Sequence, residues 1–274
     1  MELASNTANA CRTVIGTHNL RDTGGYAADT GRTRWGKLYR SDALHLVTDA
    51  GLEELTALRL CRVIDLRDDS ELASSPSRLD GIDAIVHHTP IFAGPAVAPP
   101  DAQAKAPGSL QLNGMTLTGL YRLMLDRFAA NLVAAVRIIA RSGEEPVLVH
   151  CTAGKDRTGM VVALSLLAAG VDRDAVVADY AATEENLRGD WSTTTLQKMV
   201  DSGLAASSEL EQIATGSPAA AMEEIIDLLE ADYGSAAAFL LANGLTQNDL
   251  DDLRSALIDP ESTSTPTTQK ENHS

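Results

Sequence analysis

Apolar residues fall along this chain in two rhythms, and the alternation between them predicts the fold. Short β-branched or leucine-rich runs stand at Cys61-Arg62-Val63-Ile64-Asp65-Leu66, Ile82-Asp83-Ala84-Ile85-Val86-His87 and Val147-Leu148-Val149-His150. Runs of this length and composition read as strands, the first and the last of them of the buried kind. Elsewhere apolar positions recur every three or four residues, as at Leu52, Leu55 and Leu58, then at Leu120, Tyr121, Met124, Phe128, Leu132, Val136 and Ile139. That spacing lines one face of a helix. Strand, helix, strand in succession predicts an α/β domain with a central, mostly parallel sheet flanked by helices.

Punctuation sharpens the elements. Thr48 caps the first helix, Trp35 to Arg40 reads as a short strand, and Gly143 ends one long helix or two abutting ones over 117–140. A further helix runs through Met160-Val161-Val162-Ala163-Leu164 and ends at Gly170; Asp172 caps the next, around Val176, Val177 and Tyr180. Ser217-Pro218 opens a helix carrying Met222, Ile225, Ile226 and Leu229. A short helix over 236–242 and a last one, boxed by Thr246 and Asp249, complete the set. These C-terminal helices are additional to the sheet layer. Residues 91–114 read as a proline-rich loop, and 189–216 as polar and less regular. One domain over 1–259 is expected, with a disordered polar tail over 260–274.

Composition narrows the function more than the fold. A formal net charge of −16 argues against a nucleic-acid surface or general attraction to anionic membranes. Any anionic substrate must then be drawn by a local basic pocket. Three cysteines at unrelated spacings form neither a disulfide framework nor a zinc pattern. The first twelve residues lack a secretory pattern and no stretch reaches the length of a membrane span, so the expectation is a cytoplasmic protein without stable membrane insertion. Leaderless export and oligomeric state are not legible in the sequence.

The chemistry concentrates in His150-Cys151-Thr152-Ala153-Gly154-Lys155-Asp156-Arg157-Thr158-Gly159, between the apolar strand and the apolar helix. Main-chain N–H groups from Thr152, Ala153, Gly154, Lys155, Asp156 and Arg157 can form a nest for an oxyanion, reinforced by the start of a helix near Arg157. The same field, with Lys155 and Arg157 close by, favours the thiolate form of Cys151. Arg157 offers a planar fork for two phosphate oxygens at once. The pattern fits two-step phosphoester hydrolysis, with Cys151 as nucleophile and a cysteinyl-phosphate between the steps. Thr158 then donates to the sulfur or helps it leave, and His150 fixes the loop. No metal or other cofactor is needed.

This loop resembles the phosphate-binding loop of cysteine-dependent protein tyrosine phosphatases. Its full string resembles one bacterial branch of them, as do Asn19-Leu20-Arg21-Asp22-x-Gly24-Gly25, Leu38-Tyr39-Arg40-Ser41, Val63-Ile64-Asp65-Leu66-Arg67, Val171-Asp172-Arg173-Asp174 and Val177-Ala178-Asp179-Tyr180. The likeness spans residues 14–259 and implies that family's fold. It also implies that Arg21 and Asp22 brace the loop from behind, and that helices within 186–230 either form a lid or simply cover the sheet. In that family a mobile loop before the catalytic strand carries an aspartic acid that protonates the leaving group. Here the only acid in 91–114 is Asp101, and the branch's usual position is occupied by Ala93. Asp156 is the second candidate. Lys155 adds a cation where a phosphoinositide headgroup would sit; its bland reading is a pair with Asp156. The implied partners are phosphotyrosine proteins first, with phosphoserine, phosphothreonine or phosphoinositide substrates beside them. Two other classes stay open, a catalytically inactive phosphate-binding module and a thiol-dependent arsenate reductase. The second would need partner cysteines that Cys11 and Cys61 do not obviously supply.

Overall fold

A computed structural model describes residues 14–92, 116–201, 211 and 214–260. Its strands are β1 (Arg21–Asp22), β2 (Ala27–Ala28), β3 (Gly31–Thr33), β4 (Leu38–Ser41), β5 (Arg62–Asp65), β6 (Ile85–His88), β7 (Val147–His150) and β8 (Ile258–Pro260). Five form a sheet in the order β1-β4-β7-β5-β6, parallel except for β1. The central strand β7 is buried along its whole length, as its unbroken apolar run requires when both faces are covered.

Alternation along β7 divides the core. Val147 and Val149 face a large cluster beneath the helices, whereas Leu148 faces a smaller one with Leu20, Tyr39, Leu55 and Val63. Each such side chain, fully buried, contributes about 1.5–3 kcal/mol. The smaller cluster is closed by α1 (Asp49–Ala57), whose Gly51 N–H donates to the capping Thr48 hydroxyl. The short α2 (Asp69–Ser74) follows β5 and begins in a capping box between Asp68 and Glu71.

On the larger face lie α3 (Leu117–Arg127), α4 (Ala129–Ala140), α5 (Asp156–Ala168) and α6 (Arg173–Asn186). The run over 117–140 is thus two abutting helices, broken where Phe128 leaves helical geometry at φ −122°. α5 is apolar nearly all round and sits in the middle of the core. Beyond α6 come α7 (Asp190–Asp201), α8 (Ala219–Tyr233), α9 (Ala236–Ala242) and α10 (Gln247–Leu257).

Several elements differ from the sequence reading, each for a local reason. The strand expected from Trp35 starts at Leu38, because Gly36 takes φ +76° and gives its N–H to Asp22. The strand expected from Ile82 is the edge strand β6, where Ile85 and Val86 are exposed. Asp172 stands at the start of α6 without capping through its side chain; its N–H bonds to Ala27 instead. The Ser217 hydroxyl, expected at a helix start, donates to the Tyr180 carbonyl. Helix α7 lies inside the segment read as irregular. None of its residues is fully buried; Trp191, Ser192, Thr195, Leu196 and Met199, a stripe at i, i+1, i+4, i+5 and i+8, turn partly inward. A small antiparallel sheet, β2-β3-β8, was not foreseen and ties the end of α10 to the N-terminal segment. No helix among the described residues is long and apolar enough to cross a membrane. Of the tail expected over 260–274 only Pro260 is among the described residues, and it ends β8; of the loop expected over 91–114 only Ile91 and Phe92 are.

Candidate active site

Strand β7 delivers Cys151 at its C-terminal end, 2% exposed, and α5 begins five residues later at Asp156. The loop between them presses on the end of β4. Gly154 takes φ +65°, and a Cβ there would lie 2.3 Å from the Ser41 carbonyl oxygen, so glycine alone fits.

Three successive carbonyls of this loop are held on its outer side. Ala43 N–H donates to the Thr152 carbonyl at 3.0 Å. Asn19 Nδ2 donates to the carbonyls of Ala153 and Gly154 at 3.0 and 3.1 Å, and Arg40 Nη2 to that of Gly154 at 2.7 Å. A trans peptide is planar, with N–H and C=O on opposite edges. Holding the carbonyls of 152, 153 and 154 outward therefore turns the N–H groups of Ala153, Gly154 and Lys155 to the concave side. The nest is set by its backing.

That backing is itself charged and buried. Asp179, on α6, accepts from Arg21 Nε at 2.9 Å, from Arg40 Nη1 and from the Tyr26 hydroxyl at 3.1 Å. Arg21 also donates to the side chain of Asn19. Burial alone would raise the Asp179 carboxyl, but the two guanidiniums overcome it and hold it at about 2. Arg21 thus reaches the loop through Asn19. Asp22 takes the N–H groups of Gly24 and Gly36 at 2.9 and 2.7 Å, closing the turns beside β1.

On the open side Arg157 meets Glu71 end-on, Nη1 to Oε2 at 2.6 Å and Nη2 to Oε1 at 2.8 Å. Glu71 Oε1 also accepts from the Thr152 hydroxyl, and Oε2 from the Asp68 N–H at 2.9 Å. Burial works to raise the Glu71 carboxyl, yet its bonds to Arg157 hold it at about 2. Longer contacts run from Nη1 to the Leu66 carbonyl, 3.4 Å, and from Nη2 to the Thr152 hydroxyl, 3.3 Å. The edge made by Nε and the outer hydrogen of Nη2 is the one left for an incoming oxyanion.

His150 is buried and its imidazole is pushed down to about 4, chiefly by burial. It is neutral at pH 7, with Nε2 3.3 Å from Asp65 Oδ2 but outside hydrogen-bond geometry. Asp65 itself is taken by Arg67. The Thr158 hydroxyl is buried without a hydrogen-bond partner among the described residues. Lys155 is buried too. Its Nζ donates to the Gly216 carbonyl at 3.0 Å and lies 3.1 Å from Asp156 Oδ1. Asp156 opens α5 with its carboxylate 23% exposed and accepts from the Tyr121 hydroxyl at 2.8 Å. Asp101 and Ala93 lie outside the described residues.

Asn19, Arg40, Asp179, Glu71 and Tyr121 join the site without having been singled out for it. For Arg40 and Asp179 a signal existed, a charge embedded in an apolar run (Leu38-Tyr39-Arg40 and Val176-Val177-Ala178-Asp179-Tyr180). Glu71 carries no such signal; the structure shows it closing a capping box with Asp68. Among the described residues no group of three histidines, cysteines or carboxylates is placed to hold a metal ion.

Comparison with known proteins gives consistent matches. The pattern of the tyrosine phosphatase family matches residues 13–259. A Mycobacterium tuberculosis protein named as the triple specificity protein phosphatase PtpB is 32% identical over 91% of this chain and 99% of its own. A protein assigned as a tyrosine-protein phosphatase in Cupriavidus necator is 31% identical over 72% of this chain and 74% of that one. A tyrosine-protein phosphatase of Nostoc commune is 27% identical over 78% and 72%.

Proposed function

The chain belongs to the tyrosine phosphatase family, and from that premise we propose that it hydrolyses phosphotyrosine on proteins through a cysteinyl-phosphate at Cys151. One observation carries the reading: three loop carbonyls are drawn outward between Cys151 and Arg157, so that consecutive N–H groups converge beside the thiol.

In the first step Cys151 Sγ attacks phosphorus in line, and the S–P bond forms as the bond to the phenolic oxygen breaks. Asp156 passes its proton to the departing oxygen. In the second step water bonds to phosphorus and gives a proton back to Asp156. The S–P electron pair returns to sulfur, and inorganic phosphate leaves. Loop N–H groups and the free edge of Arg157 hold the equatorial oxygens throughout. The Thr158 hydroxyl, which has no partner among the described residues, is the donor available to the sulfur as it leaves, and neutral His150 keeps the strand end in place.

Two observations bear on substrate class. The ammonium of Lys155 is directed at Gly216 and Asp156, which favours a phosphotyrosine monoester over a polyphosphorylated headgroup. The mycobacterial relative is named for triple specificity, so we expect weaker hydrolysis of phosphoserine, phosphothreonine and phosphoinositides as well. An arsenate reductase is disfavoured among the described residues. Cys61 precedes β5, whose Arg62 pairs with Val147, so it lies at the far end of the sheet from Cys151, about 15 Å away at strand spacing.

The test is steady-state hydrolysis of an aryl phosphate and a phosphotyrosine peptide by wild type and Cys151→Ser. The variant should bind phosphate and turn over nothing measurable. A Cys151→Ser enzyme retaining more than about a hundredth of the rate would remove the thiolate from the mechanism. A wild type that binds phosphate without turnover would make the chain a binding module. Asp101→Ala, run beside Asp156→Asn, separates the two candidate acids.

A further inference from the structure

We infer that Tyr121 is a positioning residue for the proton transfers of Asp156, with Tyr180 supporting it from behind. This rests on the reading of Asp156 as the group that moves the proton.

The two oxygens of Asp156 are treated unequally. Oδ1 accepts the Tyr121 hydroxyl at 2.8 Å and lies 3.1 Å from Lys155 Nζ. Oδ2 receives no hydrogen bond from any described residue. The carboxylate is partly exposed, whereas both its neighbours on Oδ1 are fully buried. A carboxylate pinned through one oxygen presents the other to the cleft, and Oδ2 is then the atom that gives and takes the proton.

The pinning hydrogen bond has a fixed direction. A phenol has one proton, and Oδ1 accepts whether Asp156 is ionised or carries its proton on Oδ2, so the Tyr121 proton goes to Asp156. The Tyr121 and Tyr180 hydroxyls are 2.5 Å apart. With the Tyr121 proton committed, Tyr180 must be the donor of that pair, giving the chain Tyr180 to Tyr121 to Asp156. Donation into the Tyr121 oxygen strengthens its own donation onward. The two rings meet edge to face at 6.0 Å and 90°, so neither phenol can swing away without repacking the core. Burial, with the Asp156 charge second, keeps the Tyr121 phenol protonated far above its ordinary range, and it stays a donor across the working pH.

Burial of two satisfied tyrosines also has a plain structural explanation, and leaving-group dependence separates it from positioning. A nitrophenolate leaves without help, whereas a phenolate or alkoxide needs a proton. Measurements of kcat/KM on 4-nitrophenyl, phenyl and alkyl phosphates, with melting temperatures, would compare wild type, Tyr121→Phe, Tyr180→Phe, Asp156→Asn and the Tyr121→Phe/Asp156→Asn double variant. Asp156→Asn should lose most on the most basic leaving groups. Tyr121→Phe should lose about tenfold on phenyl phosphate but less than about twofold on the nitrophenyl ester, and cost nothing further in the Asp156→Asn background. Tyr180→Phe should show the same trend more weakly, and serves alone if Tyr121→Phe fails to fold. A loss equal across all esters, or one that adds to Asp156→Asn, would overturn the inference while leaving Asp156 in its role. A flat series for Asp156→Asn would remove Asp156 from proton transfer and overturn both.

Discussion

Two arginine–carboxylate pairs hold the same loop from opposite sides, and they differ in what they leave free. Behind it, Arg40 and Asp179 are 1% and 2% exposed, and Arg40 spends Nη1 on Asp179 and Nη2 on the Gly154 carbonyl. In front, Arg157 and Glu71 are 14% and 28% exposed. There the end-on bonds are short, but the remaining contacts of Arg157 stretch to 3.3 and 3.4 Å. A pair whose terminal nitrogens are both bonded inward, and whose remaining Nε is sealed from solvent, can shape a loop but cannot bind a substrate. A half-open pair with one edge loosely held can exchange that edge for an oxyanion while its other edge stays fixed. Shape is set at the back, and exchange happens at the front.

The largest effect should come from breaking the back pair. Asp179→Ala leaves Arg21 and Arg40 buried without their carboxylate, and removal of one partner of such a cluster costs about 3–5 kcal/mol. Urea denaturation should show it as a lowered midpoint at an unchanged slope. Next comes the front pair. Glu71→Ala should change stability by no more than about 1 kcal/mol, since the pair is partly solvated and the helix it caps is short. Its cost should appear in kcat/KM, lowered about 10- to 100-fold as Arg157 loses its alignment, with inhibition by inorganic phosphate weakened in parallel. Glu71→Gln, which keeps one acceptor, should recover part of both. Equal destabilisation by Asp179→Ala and Glu71→Ala would erase the distinction between the two sides.

The same contrast marks what the sequence made legible. The loop itself is local: Cys151, Gly154, Asp156 and Arg157 lie within seven residues, and strand, turn and helix are readable around them. The core followed as well, because its periodicities of two and of three to four are properties of single segments. The back is not local. Asn19 and Arg40 reach the loop across 135 and 114 residues of chain, and Asp179 joins Arg21 and Arg40 across 158 and 139; the pairing of β1 with β4 and of β4 with β7 sets the first two beside the loop. Glu71 was hidden differently. An acid in the first turn of a short helix is ordinary, and this one closes a capping box with Asp68, so its sequence position signals no second role. Helix α7 escaped because its apolar face is half-buried and its Thr193-Thr194-Thr195 run has poor helix propensity.

Acid sharpens the comparison with a smaller effect. Asp179 and Glu71 are both held at about 2 in the folded protein. Their stabilisation is complete above the ordinary carboxylate range, near 4, and is lost only as pH falls from there towards 2. Between pH 6.5 and 4, then, neither pair weakens. His150 does titrate there, with the opposite balance of protons. Its imidazole is held down to about 4 in the fold against about 6.5 unfolded, so over that window the unfolded chain binds a proton that the folded chain refuses. Stability is unaffected above pH 6.5, falls as pH drops from 6.5 towards 4, and stops falling on this account below 4, where both states are protonated. For one proton the slope approaches about 1.4 kcal/mol per pH unit. Urea midpoints at a series of pH values should show this decline in wild type and a shallower one in His150→Asn, the difference confined to that window. A decline that His150→Asn leaves unchanged would remove His150 as its source and place it on the other imidazoles that burial holds down, His45 and His87, or on a carboxylate pair that yields above pH 4.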